Sequence, residues 1–332
     1  MANTVTCWTM TTGEAGMVSQ TVGLVQALEL PYATKTVHLP VPLCWLPGHW
    51  AAYLWEQFSL GHDREIHPPW PDLLISCGRR SVAIAIAIKH ASRGNTFTVH
   101  IQNPRVPLKF FDMVIPPEHD MLEGGNVFPT MGALHRLTRA SLAQAAESFR
   151  KRFASVRRPF VAVLIGGKSR TYDLTTVRMR ELSLQLKVLA TRHGAGLVVT
   201  TSRRTGTVNT AILREVLADT DTIVWDGTGE NPYLAMLALA DFIIVTEDSA
   251  SMIADACFTG KPVYIAGLKG GSRRFDFMHQ RFREAGFTRI FNGNLETWAY
   301  EPLDENKRIA LIVRERMKIF NTRTRQLQES SA

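Results

Sequence analysis

Short runs of uninterrupted apolar residues recur along this chain, each leaving through a polar or glycine-bearing corner and most leading into a helical stretch; FVAVLI at 160–165 and FIIV at 242–245 are examples. A strand that is apolar at every position has no solvent face, so it belongs inside a sheet covered on both sides. The helix that follows supplies the cover, and such strand–helix–strand units are right-handed and build a parallel sheet. In open sheets of this class, ligands bind at corners leaving the carboxyl ends of the strands.

The rhythm runs twice. In the first half NTVTCWTM, ATKTVHLPV, DLLISCG, FTVHIQNP and DMVIPPEHD read as strands, MVSQTVGLVQALEL and RRSVAIAIAIKHAS as helices, and NVFPTMG as a further short strand. PLCWLPGHWAAYLWEQFSLG, dense in Trp and Pro, reads as helix and loop. The second half restarts with FVAVLIGG, and TTVRMRELSLQLKVLATRHG is a long amphipathic helix closed by glycine. GLVVTTS, TIVWDG, FIIVTEDS and VYIAG follow as strands, with helices between and after them. A charged helix from Ser141 to Arg158, ending at Pro159, suits a linker. The expected domains are therefore 1–150 and 159–303, with a final helix over 304–325 packing back on the first, in a chain of 332 residues.

Hydrophobic residues at 45% and charged residues at 20% exclude disorder, collagen and a disulfide scaffold. Cys7, Cys44, Cys77 and Cys257 are scattered without a CxxC pair, which argues against zinc and for a reducing compartment. No secretory signal is legible, and the longest apolar run, VAIAIAI, is too short to span a bilayer. A cytoplasmic protein is expected. Its net charge of +8 and pI near 9.5 favour anionic partners. The ten histidines form no HExxH pair, and with neither a DxD metal motif nor a GxSxG elbow expected, no metal or cofactor is expected.

The corners carry the candidate chemistry. Gly166, Gly167, Lys168, Ser169 and Arg170 follow a strand: glycines there admit an anion to backbone N–H groups, and two cations add charge. The segment is neither a Walker A loop nor a GxGxxG fingerprint, and a tight turn also explains it. Ser202, Arg203 and Arg204 close the next strand with guanidinium forks suited to phosphate. Thr246, Glu247, Asp248, Ser249, Ser251 and Met252 sit where strand meets helix, so that the Ser249 and Ser251 hydroxyls and the free helix amides face an anion, with Asp255, two turns along from Glu247, or Glu247 itself as a candidate ribose clamp. In the first half Gly13, Glu14, Gly16 and Gln20 occupy the first corner, and Gln102, Asn103 and Arg105 a later one. His119, flanked by Glu118 and Asp120, is a candidate general base.

TTGEAGMVSQTVGLVQAL, PDLLISCGRRS, IQNPR, FDMVIPPEHD, AVLIGGKSRTYDL, VTTSRRT, WDGTGENPYLAMLALAD, VTEDSASMIADACFTGKPVY and GGSRRFDFMH together resemble the "elongated mitochondria" mitochondrial-fission family and its bacterial relatives, over nearly the whole chain. ADFIIVTEDSASMIADACFTGKPVYI is similar to the donor-binding element of GT-B glycosyltransferases. The resemblance implies an α/β fold of two doubly wound Rossmann-like domains facing a cleft. It also implies a metal-independent glycosyltransferase of the cell envelope or lipopolysaccharide, with the fission role belonging to eukaryotic members. A nucleotide-sugar donor would occupy the second domain at the residues from Gly166 to Asp255 named above. A glycan or lipid-linked acceptor would lie on the first near Gly13, Gly16, Gln20, Gln102, Asn103 and Arg105, with Glu14, Glu118, His119 or Asp120 as base. By the same resemblance, relatives usually carry Glu where this sequence has Asp255 and Gly-Asp where it has Glu247-Asp248. Peripheral contact with an anionic inner membrane face is expected, and nucleic acid is not. The alternative is a non-catalytic scaffold that keeps the fold and recruits a partner.

Overall fold

In a computed structural model describing residues 5–38, 50, 52–53 and 65–329, the apolar runs become strands of two parallel sheets. The chain divides into two compact units, 1–136 with 304–332, and 137–303.

The first unit contains β1 (Cys7–Thr11), α1 (Ala15–Ala27), β2 (Tyr32–Thr36), β3 (Leu73–Cys77), α2 (Val82–Ala91), β4 (Phe97–Ile101) and β5 (Met113–Ile115). Strands β3 and β4 are buried at every position; the polar side chains on one face of β4 find partners there, Thr98 in Asp112 and His100 in Ser76 of β3. The sheet order is β2-β1-β3-β4-β5, all parallel, with Cys7 in register with both Tyr32 and Leu73. On one face Leu24 of α1 packs with Ile75, Val99 and Val313, the last carried by the C-terminal helix α9 (Glu305–Glu329). On the other, Ile84 and Ile88 of α2 pack with Leu74 and Val114. NVFPTMG forms no strand: it contributes only the isolated bridges Val114 to Val127 and Pro117 to Thr130. The expected helix and loop over 42–61 lie almost wholly outside the described residues.

The second unit begins with α3 (Arg139–Phe149), followed by β6 (Phe160–Ile165), β7 (Tyr172–Asp173), α4 (Thr176–Arg192), β8 (Gly196–Thr201), α5 (Thr207–Leu217) and β9 (Ile223–Val224). It continues with α6 (Tyr233–Leu239), β10 (Phe242–Thr246), α7 (Ala250–Phe258), β11 (Val263–Ala266), β12 (Lys269–Gly270), α8 (Arg273–Glu284) and β13 (Thr288–Ile290). The expected boundary near residue 150 thus falls earlier, at Arg136, and the charged helix ends at Phe149 rather than Arg158. The reason is its apolar face. Phe149 and Phe153 are buried, and Phe153 meets Phe160 of β6 with ring centroids 5.7 Å apart.

This unit's main sheet runs β9-β8-β6-β10-β11-β13. Numbered from its own first strand, that is 3-2-1-4-5-6, the order of a dinucleotide-binding Rossmann sheet, while the first unit's 2-1-3-4-5 is the flavodoxin-like order. Each order reverses at one point: between β6 and β10 in the second unit, and between β1 and β3 in the first. Ligand crevices of doubly wound sheets open there.

Candidate functional site

At the β6–β10 reversal the corner residues bind one another. Asp248, its side chain fully buried, accepts from the Gly167 N–H (3.0 Å) and the Thr246 hydroxyl (2.7 Å) and pairs with Arg204 at 2.8 Å. The Gly166 N–H donates to the Thr246 hydroxyl, and Ser202 donates to the Gly166 carbonyl. The Lys168 N–H reaches the Arg204 carbonyl, and the Ser169 N–H that of Tyr172. A buried carboxylate is tolerable only when paired and hydrogen-bonded, and Asp248 is both.

These bonds assign the two glycines a packing role. A Cβ on Gly166 would lie 2.3 Å from an Asp248 carboxylate oxygen, and one on Gly167 2.1 Å from the Arg204 carbonyl. The amides of Gly166, Gly167, Lys168 and Ser169, expected to cradle an anion, are already satisfied within the protein. Ser169 likewise turns inward, its hydroxyl accepting from the Thr171 and Tyr172 amides and leading the chain into β7.

The cations remain outside this network. Lys168, Arg170 and Arg203 are exposed and have no ion-pair partner among the described residues. Ser249 caps α7 by accepting from the Met252 N–H (3.5 Å), beside exposed Ser251. The first-turn amides of that helix have no intrahelical acceptor and carry its positive dipole end. The ribbon of β7 and β12, antiparallel at Tyr172 and Gly270, adds exposed Lys269 to the same strand-end loops.

Glu247 and Asp255 have different neighbours. The Glu247 carboxylate accepts from the Leu268 N–H, and burial pushes its pKa up. Its carbonyl accepts from His279 Nε2 at 3.0 Å, while burial keeps that imidazole's pKa low. Asp255 instead accepts from the Tyr233 hydroxyl of α6 at 2.7 Å, and burial raises its pKa to about 6. His279 is a site neighbour that sequence reasoning missed: it lies within the strongly charged α8 and carries no local signal of its distant partner. Tyr233, which the sequence offers as a base-stacking ring or a core aromatic, instead gives its hydroxyl to Asp255.

In the first unit, Gly13 (φ +92°) turns the chain from β1 into α1, where Glu14 is exposed. The Thr12 hydroxyl donates to that carboxylate and holds its pKa down. Gly16 has open space where a Cβ would stand, and Gln20 is half-buried on the same helix. Across the reversal, Arg79 and Arg80 of the GRRS turn are exposed, and the Arg80 charge also lowers the Glu14 pKa. Sequence reasoning assigned them no role, although two arginines following a strand-ending glycine were legible. The Gln102 corner leaves β4, two strands from β1 and so roughly 10 Å away. Gln102 is held at φ +81°, rare for a residue with a side chain, and Asn103 accepts from the Arg105 N–H at 2.9 Å. Glu118, His119 and Asp120 form a single 3-10 turn after β5. His119 Nε2 lies 4.0 Å from Asp120, an ion-pair distance rather than the hydrogen bond by which a carboxylate orients a base.

The expectation of no Asp-x-Asp motif is corrected by one triplet, Asp219-Thr220-Asp221. It precedes β9, with Asp219 bound to Lys187 at 2.8 Å and Asp221 to Arg157. Among the described residues no group of three His, Cys, Asp or Glu side chains is arranged to hold a metal, and no helix is long and apolar enough to cross a membrane.

Residues 15–317 match the family described as Mitochondrial fission ELM1. The chain belongs to that family. It is 34% identical to the mitochondrial fission protein ELM1 of Arabidopsis thaliana over 74% of its own length, and the match spans 63% of that plant protein. An uncharacterized protein of Rickettsia prowazekii is 26% identical over 94% of this chain and 98% of its own. Among solved structures, UDP-GlcNAc 2-epimerase of Methanocaldococcus jannaschii superposes with a TM-score of 0.58 at 14% identity, covering 93% of this chain and 98% of that one. At that identity the likeness is one of fold: this ELM1-family member has the two Rossmann-like domains of the GT-B class.

Proposed function

We propose that this protein is a GT-B-type, metal-independent glycosyltransferase that moves a sugar from a nucleotide-activated donor to an envelope glycan or lipid-linked acceptor, in the cytoplasm or at the inner membrane face. The observation that carries the reading is the exposure of the cations Lys168 and Arg170, which follow β6 at the reversal point of a 3-2-1-4-5-6 sheet, with exposed Arg203 at the neighbouring β8 corner. The donor diphosphate would meet these side chains and the amino end of α7, whose fixed dipole stabilises charge developing on the leaving group. The acceptor would lie on the first unit near Glu14, Arg79, Arg80 and Gln102, with Glu14 or the Glu118–Asp120 turn supplying the base.

A second reading, a non-catalytic scaffold, is favoured by one feature: the Gly166, Gly167, Lys168 and Ser169 amides, which would cradle a phosphate, are taken up internally. Calorimetry and thermal shift with UDP, GDP, CDP, ADP and CMP, free and sugar-linked, separate the two. Saturation at 100 times the dissociation constant stabilises the folded protein by about 2.7 kcal/mol. Selective binding of one nucleotide, weakened in Lys168→Ala and Arg170→Ala, is the expected result. These exposed side chains are the informative targets, since Gly166, Gly167 and Asp248 variants would fail through packing. No binding at millimolar nucleotide would overturn the transferase reading, and turnover of a UDP-sugar without acceptor would indicate an epimerase.

A further inference from the structure

On the first unit, away from all the corners described above, the C-terminal half of α2 walls a cavity of about 830 Å³. Ile86, Ala87 and Phe110 give it an apolar lining, Tyr53 adds an aromatic ring, and Arg93 and Lys109 are among its cations. Among the described residues, no acidic side chain lines it. Its position follows from Lys89, which also lines it and binds Asp112 at 2.8 Å. Asp112 in turn accepts from the Thr98 N–H and hydroxyl, at the entry to β4 and just before β5. The cavity is therefore at the amino ends of the strands. The reactive corners are at their carboxyl ends, a five-residue strand or roughly 15 Å away.

Cations at the end of α2 complement its dipole, which explains Lys89 and Arg93 in part. Lys109 belongs to a separate segment and receives no benefit from that dipole. Arg93 and Lys109 are exposed, and neither has an ion-pair partner among the described residues. Tyr53, which lines the recess, is 61% exposed and presents its ring to solvent. Aromatic rings beside cations and an apolar recess are the composition of a membrane-interface surface, where rings sit at headgroup depth and cations meet phosphate.

We propose that this cavity docks an anionic phospholipid of a membrane surface, with acyl carbons against Ile86, Ala87 and Phe110 and the headgroup phosphate between Arg93 and Lys109. The charge balance commits the occupant: a recess whose described lining has cations and no carboxylate selects an anionic amphiphile over a neutral one. A cavity of this size is within the usual range for a small-molecule site. The proposal does not depend on nucleotide binding, which is measured in parallel on the second unit.

The test is flotation of the full chain with vesicles of phosphatidylcholine alone or mixed with phosphatidylglycerol. Binding is expected only to the mixed vesicles. Each basic residue near an anionic surface contributes about fivefold to partitioning, so the R93E/K109E double variant should bind at least about 20-fold more weakly. Tyr53→Ser should also weaken binding, whereas R192E/K318E, which reverses the same charge at exposed sites elsewhere, should leave the pocket's contribution intact. Failure to bind the mixed vesicles overturns the proposal. Equal losses in the two double variants, or insensitivity to Tyr53→Ser, also overturn it, because either means diffuse electrostatics from a chain of net charge +8. Competition by glycerol phosphate as effective as by vesicles would identify a free phosphate site and reject the lipid.

Discussion

Asp255 is the residue whose chemistry departs furthest from its sequence appearance. Eight positions after Glu247 it suggested a second carboxylate at the ligand corner, but it accepts from Tyr233 on a neighbouring helix instead. Burial raises its pKa from 3.8 to about 6, so between those values the folded protein holds a proton that the unfolded chain has released. Stability from the protonated form is therefore complete below about pH 4 and is lost as pH rises through about 6. Asp255→Asn keeps an acceptor for the tyrosine and removes the titration. In urea melts from about pH 4 to about pH 7 the variant should gain stability relative to the parent as pH rises, and a pH-independent difference would contradict the assignment. Asp248 is the counter-case: its partners Arg204, Thr246 and the Gly167 amide make it a tie between loops. In sequence both residues are simply acids near a strand end, because a pairing partner tens of residues away leaves no local trace.

Among the elements, the GKP segment shows how a motif can be structural. Lys261 lies between α7 and β11, and its ammonium donates to the carbonyl of Leu237 at 2.9 Å and to that of Ala238, at the end of α6. A cation there satisfies carbonyls that the helix leaves unpaired and complements the negative end of its dipole. Lys261→Met keeps the apolar stem and removes both bonds, so it should lower unfolding free energy by about 1–3 kcal/mol in urea titration. An unchanged midpoint would mean that water replaces the ammonium at no cost. Long elements were readable at this scale. FVAVLI and FTVHI are strands, VAIAIAI lies within a helix, and Gly194 (φ +66°) follows the end of α4 as a glycine C-cap. The ribbon of β7 and β12 was not, since two-residue strands have no period to detect and their pairing joins residues about a hundred positions apart.

For the molecule as a whole, the return of α9 to the first unit is the decisive long-range event. Ile309, Ala310, Val313 and Met317 are buried in its core, and Asn306 exchanges hydrogen bonds with the main chain of His135. Burying a large apolar side chain contributes about 1.5–3 kcal/mol, so removing residues 304–332 should cost the first unit an amount comparable to a domain's entire stability of about 5–15 kcal/mol. Calorimetry of the 1–303 chain should show loss of that unit's transition with the second unit's retained, and two intact transitions would show that the helix is dispensable. The sequence alone determined the α/β class, the parallel sheets and the places where corners fall, because uninterrupted apolar runs admit few other arrangements. Tertiary structure decided which corner residues face inward. Gly166, Gly167, Ser202 and Asp248 were all read as ligand groups and all bind the protein itself, while Lys168, Arg170, Arg79 and Arg80 remain exposed. Strand order decided which corners adjoin a reversal point. Both depend on pairings between distant segments, and local periodicity carries the pattern of burial but not the identity of the partner.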